Sequence, residues 1–169
     1  MRNKPLIGYA FAAALSGLAA LEGMRTSAYL DSVGVPTICA GTTKGVKLGD
    51  TKTVEQCWTI AEAEYREYEK VVIDNIKVPL RANEQVALTY FCVNVGKYGC
   101  KGSTTFREFN AGDSVAGCKA VRLWNKGTIN GRKVFIKGLD NRRAAEERLC
   151  LTPDARWYDS ILNILRGNA

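Results

Sequence analysis

The 169-residue sequence contains no histidine. That excludes Ser-His-Asp and Cys-His nucleophiles, His-ligated zinc and histidine general bases, and leaves carboxylates, lysine, tyrosine and hydroxyls to carry any chemistry. No two cysteines are spaced C-x-x-C, so tight metal-ligand spacing is also missing. There is no internal repeat, no low-complexity tract and no long Pro/Gly/Ser linker, and prolines number only four. The chain therefore reads as one continuous domain of ordinary size. With 46% hydrophobic and 24% charged residues it is not disordered over most of its length.

Two features stand out among what is present. Lys plus Arg exceed Asp plus Glu by 24 − 17 = 7, and a charge of +7 favours anionic partners such as nucleic acid, a membrane surface or an anionic polymer. No recognised nucleic-acid motif accompanies the charge, so nucleic acid is not expected. Nine basic residues (Lys119, Arg122, Lys126, Arg132, Lys133, Lys137, Arg142, Arg143, Arg148) face three acidic ones (Asp140, Glu146, Glu147) between positions 119 and 148. This stretch is read either as a steering surface for an anionic polymer or as an ordinary solvated helix face, with Arg142 and Arg143 pairing to Glu146 at helical spacing. The second feature is six cysteines: Cys39, Cys57, Cys92, Cys100, Cys118 and Cys150. An even count fits three disulfides and an oxidising compartment, against six buried thiols in a cytosolic protein.

Arg2 and Lys4 lead into an uncharged run, Pro5 to Leu21. The run is at the lower limit for spanning a bilayer and is rich in alanine and glycine. It reads as a cleaved signal peptide, an uncleaved marginal anchor or a buried first helix. Residues 23–52, broken by Gly34, Pro36, Gly41, Gly45 and Gly49, predict a small turn-rich sheet. Thr53 and Gln56 form a capping-box signature, and apolar residues at Cys57, Trp58, Ala61, Tyr65, Tyr68 and Val72 predict a long helix to about Ile76. Glu62, Glu64, Arg66, Glu69 and Lys70 are expected on its solvated face. Shorter helices follow: one capped by Asn83 and ending at Gly96, one over 104–110, one from Asp113 to Trp124, one over 140–149 and one over 153–166, with an exposed loop or ribbon at 128–137. The class is α+β, the small sheet segregated from the helices.

Glu22 closes the apolar run and precedes Gly23, a good helix stop. A carboxyl at the end of an apolar helix is partly desolvated, which raises its pKa and suits it to act as a general acid. Asp31 and Thr37 flank the Gly34-Val35-Pro36 turn, and a hairpin there places them on neighbouring strands. An acid, a carboxylate and a hydroxyl facing one cleft suit glycoside hydrolysis. The same spacing also fits a plain surface pair.

Glu22-x8-Asp31-x5-Thr37 has the spacing of the catalytic triad of T4-type phage lysozymes, the endolysins of glycoside hydrolase family 24. The chain resembles that family at LEGMRTSAYLDSVGVPTICAGTT, at VPLRANEQVALTYFCVNVGKYGCKGSTTFREFNAG, and at the stretch from Trp124 to Leu151 that holds GLDNRRAAEERLCL. It departs at Cys39, where the family often has glycine, and at Thr42, where it has histidine.

The resemblance implies a lysozyme-like α+β fold: a single domain over 1–169, with an apolar helix over 1–21, a catalytic β lobe over 22–52, a connecting helix over 53–76 and a helical lobe over 77–169. It implies hydrolysis of the β-1,4 bond between N-acetylmuramic acid and N-acetylglucosamine in peptidoglycan. Glu22 is expected to protonate the leaving oxygen, Asp31 to stabilise the transition state and orient water, and Thr37 to hold that water. The expected spacing of the two carboxyls is about 6.5–9.5 Å.

No cofactor or metal is implied. Partners are expected to be the peptidoglycan strand, transiently the inner membrane, and lipopolysaccharide through the basic region, with the chain a monomer. The cysteines are paired Cys39–Cys57, Cys92–Cys100 and Cys118–Cys150 in the expected architecture, although the sequence alone allows fifteen connectivities.

A cut after Ala20 would leave Glu22 without a helix behind it, so the segment is expected to be retained. Two readings of it remain. It is the releasable anchor of a signal-arrest-release endolysin in the host periplasm, or the buried helix of an endolysin kept in the host cytoplasm until a holin frees it. Rival classes are a lytic transglycosylase and a non-catalytic cationic membrane-active envelope protein.

Overall fold

A computed structural model of the chain describes residues 3–31, 34–129, 131–152, 159 and 161. The first helix, α1, is Gly8–Glu22. Its alanines favour helix, and Gly23, at φ 75°, ends it with an N–H to the Ala19 carbonyl at 2.9 Å. Leu18 is buried, while Leu15 and Leu21 are partly buried against the same core.

The chain then forms β1 (Arg25–Leu30) and β2 (Pro36–Cys39), antiparallel, with Tyr29 opposite Thr37 and Leu30 opposite Pro36. Isolated bridges Ser27–Thr51 and Ile38–Thr42 extend this small lobe. Helix α2 (Val54–Asn75) opens with the expected capping box: Gln56 N–H donates to Thr53 Oγ1 at 3.1 Å, and Thr53 N–H donates to Gln56 Oε1 at 2.8 Å. Its 22 residues make a rod about 33 Å long. Cys57, in its first turn, joins Ile38 and Cys39 in a small core. Further along, Tyr65 and Val72 belong to the main core with Leu18, Leu88, Tyr90, Phe91, Phe109 and Leu149. One helix thus contributes to two cores, which is how it connects them.

The main core is built from α1, α2, α3 (Ala82–Lys101), α4 (Thr104–Asn110), α5 (Ser114–Ala120) and α6 (Lys137–Leu151). A 3-10 turn at Val121–Trp124 and a hairpin of β3 (Lys126–Ile129) and β4 (Arg132–Phe135) separate α5 from α6. The expected ribbon is therefore a hairpin that begins two residues earlier, and α6 begins three residues earlier than the sequence suggests. The last expected helix, 153–166, lies outside the described residues apart from Asp159 and Ile161.

Two expectations are corrected. Asn83 does not cap α3: its amide is buried and donates to the carbonyls of Leu149 and Cys150, at 3.2 and 2.7 Å. Those are carbonyls of the last turn of α6, where helical partners run out; that of Leu149 also accepts the Thr152 N–H at 3.2 Å. Arg81 takes the cap position of α3, its N–H held by Glu84 Oε2 at 2.8 Å. Gly96 ends the helical run that begins at Ala82, as expected. At φ 79°, ψ 162° it kinks α3, which resumes to Lys101.

Finally, Glu69 is not on a solvated face; it is 1% exposed. It sits four residues beyond Tyr65 on the buried stripe, and its charge is met by three donors. These are Leu6 N–H at 2.8 Å, Gln85 Nε2 at 2.9 Å and Arg66 Nη1 at 2.7 Å.

The cysteines join as Cys39–Cys57, Cys92–Cys100 and Cys118–Cys150, with Cα separations of 5.0, 5.1 and 5.6 Å. The first ties β2 to the start of α2. The second spans the break at Gly96, and the third ties α5 to α6. Among the described residues no helix is long and apolar enough to cross a membrane.

Candidate active site

Asp31 follows the last residue of β1 and is fixed by the turn it enters. Its Oδ1 accepts the Val35 N–H at 2.8 Å, its N–H donates to the Val35 carbonyl at 3.0 Å, and its carbonyl accepts the Gly34 N–H at 3.0 Å. Gly34 lies at φ 83°, a conformation that glycine adopts without strain. Thr37, in β2, is 3% exposed, and its hydroxyl donates to the Val35 carbonyl at 2.9 Å. A carbonyl only accepts, so the single Thr37 hydroxyl hydrogen is committed to Val35. The oxygen is left to accept from anything that reaches it. One peptide, Val35, thus orders both the carboxylate and the hydroxyl.

Both side chains line a cavity of about 400 Å³. Tyr29, Ala40 and Gly41 bound it on the β side; Glu64 of α2 and Asn94 of α3 bound it on the helical side. It lies where the small lobe meets the helices, a usual size and place for a ligand site. The structure therefore brings Asp31 and Thr37 together. Glu22 is the last residue of α1, but its side chain lies outside the described part of the chain, and so does the expected spacing between the two carboxyls.

The helical wall is braced from behind. Asn94 Oδ1 accepts from Arg143 Nη2 at 3.0 Å, and Arg143, fully buried, pairs with the buried Glu146 at 2.7 Å. Arg142 also reaches Glu146, at 3.1 Å. The pairing expected of both arginines is present, and for Arg143 it serves Asn94. With its carbonyl oxygen held by Arg143, Asn94 turns its amide N–H groups away from that contact.

On the β wall, Arg25 lies over the Tyr29 ring, 4.3 Å from its centroid. Cys39 adopts φ 56°, a left-handed conformation where a glycine would be unstrained. Its disulfide to Cys57 and the reciprocal Ile38–Thr42 backbone bonds, at 2.9 and 3.0 Å, hold this end of β2.

Sequence reasoning missed Tyr29, Glu64 and Asn94 as cavity residues. Tyr29 and Asn94 fall inside stretches that carry the family resemblance, so their signal was present. Glu64 was assigned to a solvated face by its charge, although it stands three residues from Ala61 and four from Tyr68, beside the apolar stripe of α2.

The family model described as phage lysozyme matches residues 19–146. The chain belongs to the phage lysozyme family. Within the family it is 56% identical over 160 residues to the SAR-endolysin of Pseudomonas phage phiKMV, spanning 95% of this chain and 99% of that protein. Its fold matches the endolysin from Escherichia coli O157:H7 phage FAHEc1 with a TM-score of 0.82 at 34% identity, over 89% of this chain and 96% of that one. It also matches the muramidase domain of SpmX from Asticaccaulis excentricus, with a TM-score of 0.80 at 27% identity, over 89% and 100% of the two chains. The α+β, lysozyme-like fold follows.

Proposed function

We propose that this phage lysozyme-family chain is an endolysin that cuts peptidoglycan by hydrolysis, with Glu22, Asp31 and Thr37 as its catalytic residues. The observation that carries this reading is the shared Val35 anchor, which sets a carboxylate and an acceptor-only hydroxyl on one wall of the cleft. Glu22 donates its proton to the glycosidic oxygen as the bond to the N-acetylmuramic acid ring breaks. Asp31 offsets the positive charge that develops on that ring. A water then gives one hydrogen to Thr37 Oγ1 and the other to the Asp31 carboxylate. This points its lone pair at the anomeric carbon, and Asp31 takes the proton as the new bond forms. Asn94, with its oxygen committed to Arg143, offers N–H groups to the glycan from the opposite wall.

The surrounding chemistry supports the same substrate. A chain at +7 is attracted to a polymer that carries peptide carboxylates. The chain acts as a monomer in the host periplasm, where its three disulfides are stable. The likeness to the phiKMV SAR-endolysin supports a route to that compartment in which residues 5–21 first rest in the inner membrane and later pack as α1.

The test is a Glu22→Gln variant on purified peptidoglycan, with digestion products of the parent analysed by mass spectrometry. Products gain one water per cut from the parent, and the variant releases almost none. Anhydro ends would make the chain a transglycosylase, and undiminished clearing by the variant would end the glycosidase reading. Expression without a holin tests the route: membrane-fraction protein and lysis on depolarisation are expected. Purely soluble cytoplasmic protein would remove the membrane step and leave the chemistry intact.

A further inference from the structure

We propose that the β3–β4 hairpin is a docking finger for an anionic phospholipid surface, a role separate from the cleft and independent of the muramidase reading. Every described position in the two strands except Gly127 is exposed to solvent. Phe135 is 55% exposed, Ile129 54% and Val134 36%. Three large apolar side chains on one short hairpin are more than a scatter of single exposed residues. The register interleaves them with cations. Phe135 pairs with Lys126 on one face, next to the Thr128–Lys133 pair, and Ile129 pairs with Arg132 on the other, next to Val134. Each face thus carries both an apolar side chain and a positive one.

The charge around the hairpin is of one sign. From Ser114 to Leu139 there is no acidic residue and there are six basic ones. Arg122 is occupied by Asp140 at 2.9 Å, whereas Lys126, Arg132, Lys133 and Lys137 have no ion-pair partner among the described residues. The finger is also held firm at its base. Ile136 N–H donates to the Asn125 carbonyl at 3.0 Å, and Asn125 Nδ2 donates to Asp140 at 3.1 Å. A Cβ on Gly127 would lie 2.4 Å from Ile136 Cδ1, so Ile136 packs directly over the strand.

An anionic glycan would meet the cations but give the apolar side chains nothing to bury against. A bilayer surface meets both, since phosphates face the cations and the acyl boundary takes phenyl and aliphatic groups. Strands of four residues reach about 13 Å, enough to pass the 5–10 Å depth at which interfacial segments sit.

The test is co-sedimentation of the full chain with phosphatidylglycerol–phosphatidylcholine vesicles, pure phosphatidylcholine vesicles, lipopolysaccharide aggregates and purified peptidoglycan sacculi. Two hairpin variants are compared with the parent: Ile129→Ser with Phe135→Ser, and Lys126→Glu with Lys133→Glu. Both retain residues 5–21, so binding through that segment is common to all three proteins.

The parent is expected to bind the phosphatidylglycerol vesicles over all other lipids. Each variant is expected to lose at least about tenfold in vesicle affinity while hydrolysing sacculi as the parent does, which also shows that it folds. Vesicle binding by the apolar variant equal to the parent's would overturn the proposal, leaving charge or the N-terminal segment as the cause. Preference for lipopolysaccharide over the vesicles, or loss of sacculus binding in the variants with vesicle binding intact, would overturn it as well.

Discussion

Removing the Glu69 carboxylate should release the start of the chain and, through α1, disturb the active site. The extended residues before α1 are held to α2 and α3 by side chains rather than by a sheet. Asn3 donates to the Ile76 and Val78 carbonyls at 3.3 and 3.0 Å and accepts the Leu80 N–H at 2.9 Å. Gln85 Nε2 donates to the Lys4 carbonyl at 3.0 Å and to Glu69 at 2.9 Å. Arg66 donates to both the Leu6 carbonyl and Glu69, each at 2.7 Å.

Glu69 is the centre of this set. Hydrogen bonds to a charged group contribute about 1.5–3 kcal/mol each. Two of its three, from Leu6 and Gln85, count in full. The third is discounted, because Arg66 is 34% exposed. Water entering after a Glu69→Ala change recovers part of the loss, so a cost of about 3 kcal/mol is expected. For a chain of this size that is about 6–12 °C in Tm. Glu69→Gln should cost less but not nothing, since its amide must turn an N–H toward at least one of the three donors.

Denaturant melts give the magnitude, and hydrogen exchange of residues 3–12 gives the place. A Glu69→Ala protein that loses under about 1 kcal/mol, with those amides as protected as in the parent, would refute the reasoning. Activity should fall with the docking, because Glu22 sits at the far end of the helix these contacts begin.

Thr37→Val should lower kcat on peptidoglycan by about 10–1,000-fold with little change in KM; an unchanged kcat would remove Thr37 from the water site. Replacing Cys39 and Cys57 together by serine opens an 18-residue loop and should cost about 3 kcal/mol in denaturant melts. It should also lower activity, since Thr37 lies two residues from the lost anchor; parent-like stability would show that the bridge constrains nothing. Burial holds the Tyr65 and Tyr90 phenols above the ordinary tyrosine value of 10.0. Folded-state values raised in this way mean that the stability is complete below pH 10 and is lost as pH rises beyond it, at up to about 2.7 kcal/mol per pH unit for two protons. Urea melts across that range should show the loss, and Tyr65→Phe should reduce its slope by about half; a pH-independent midpoint would contradict the burial argument.

The elements that the sequence disclosed most clearly were those encoded by neighbours in the chain. The Thr53–Gln56 box starts α2, Gly23 stops α1, and Gly34 turns β1 into β2, each through contacts within a few residues. Asp31 and Thr37 were legible for the same reason, since a six-residue spacing across one turn fixes their relation. What was misread depends on partners far along the chain. Glu69 looks solvent-facing by residue type and is buried because Leu6 and Gln85 reach it from 63 and 16 positions away. Asn83 looks like a cap and instead closes the end of α6, 66 and 67 positions away. Gly96, by contrast, breaks the helix where a glycine stop predicts it, and the Cys92–Cys100 bridge spans the break.

The composition of α1 has a cause inside the folded protein. A Cβ at Gly17 would stand 2.3 Å from the Tyr90 hydroxyl and 2.9 Å from Ile161 Cδ1, so any side chain there pushes the helix off the core. Ala14 is fully buried, and its carbonyl accepts the Tyr90 hydroxyl hydrogen, so a larger residue there meets the same wall. Close approach of α1 to α3 therefore demands small residues at the positions that a bilayer would fill with leucine or isoleucine. Packing against the helical lobe and strong membrane retention pull the sequence in opposite directions, and this chain has resolved the conflict in favour of packing. At 15 residues the helix is also shorter than the roughly 20 that a stable span needs. A segment built this way leaves a membrane at low cost, because the contacts that reward its alanines and glycine exist only in the folded enzyme. If α1 visits the bilayer, the core around Tyr90 supplies the free energy that draws it out, and the same step fixes the backbone of Glu22 at the end of α1.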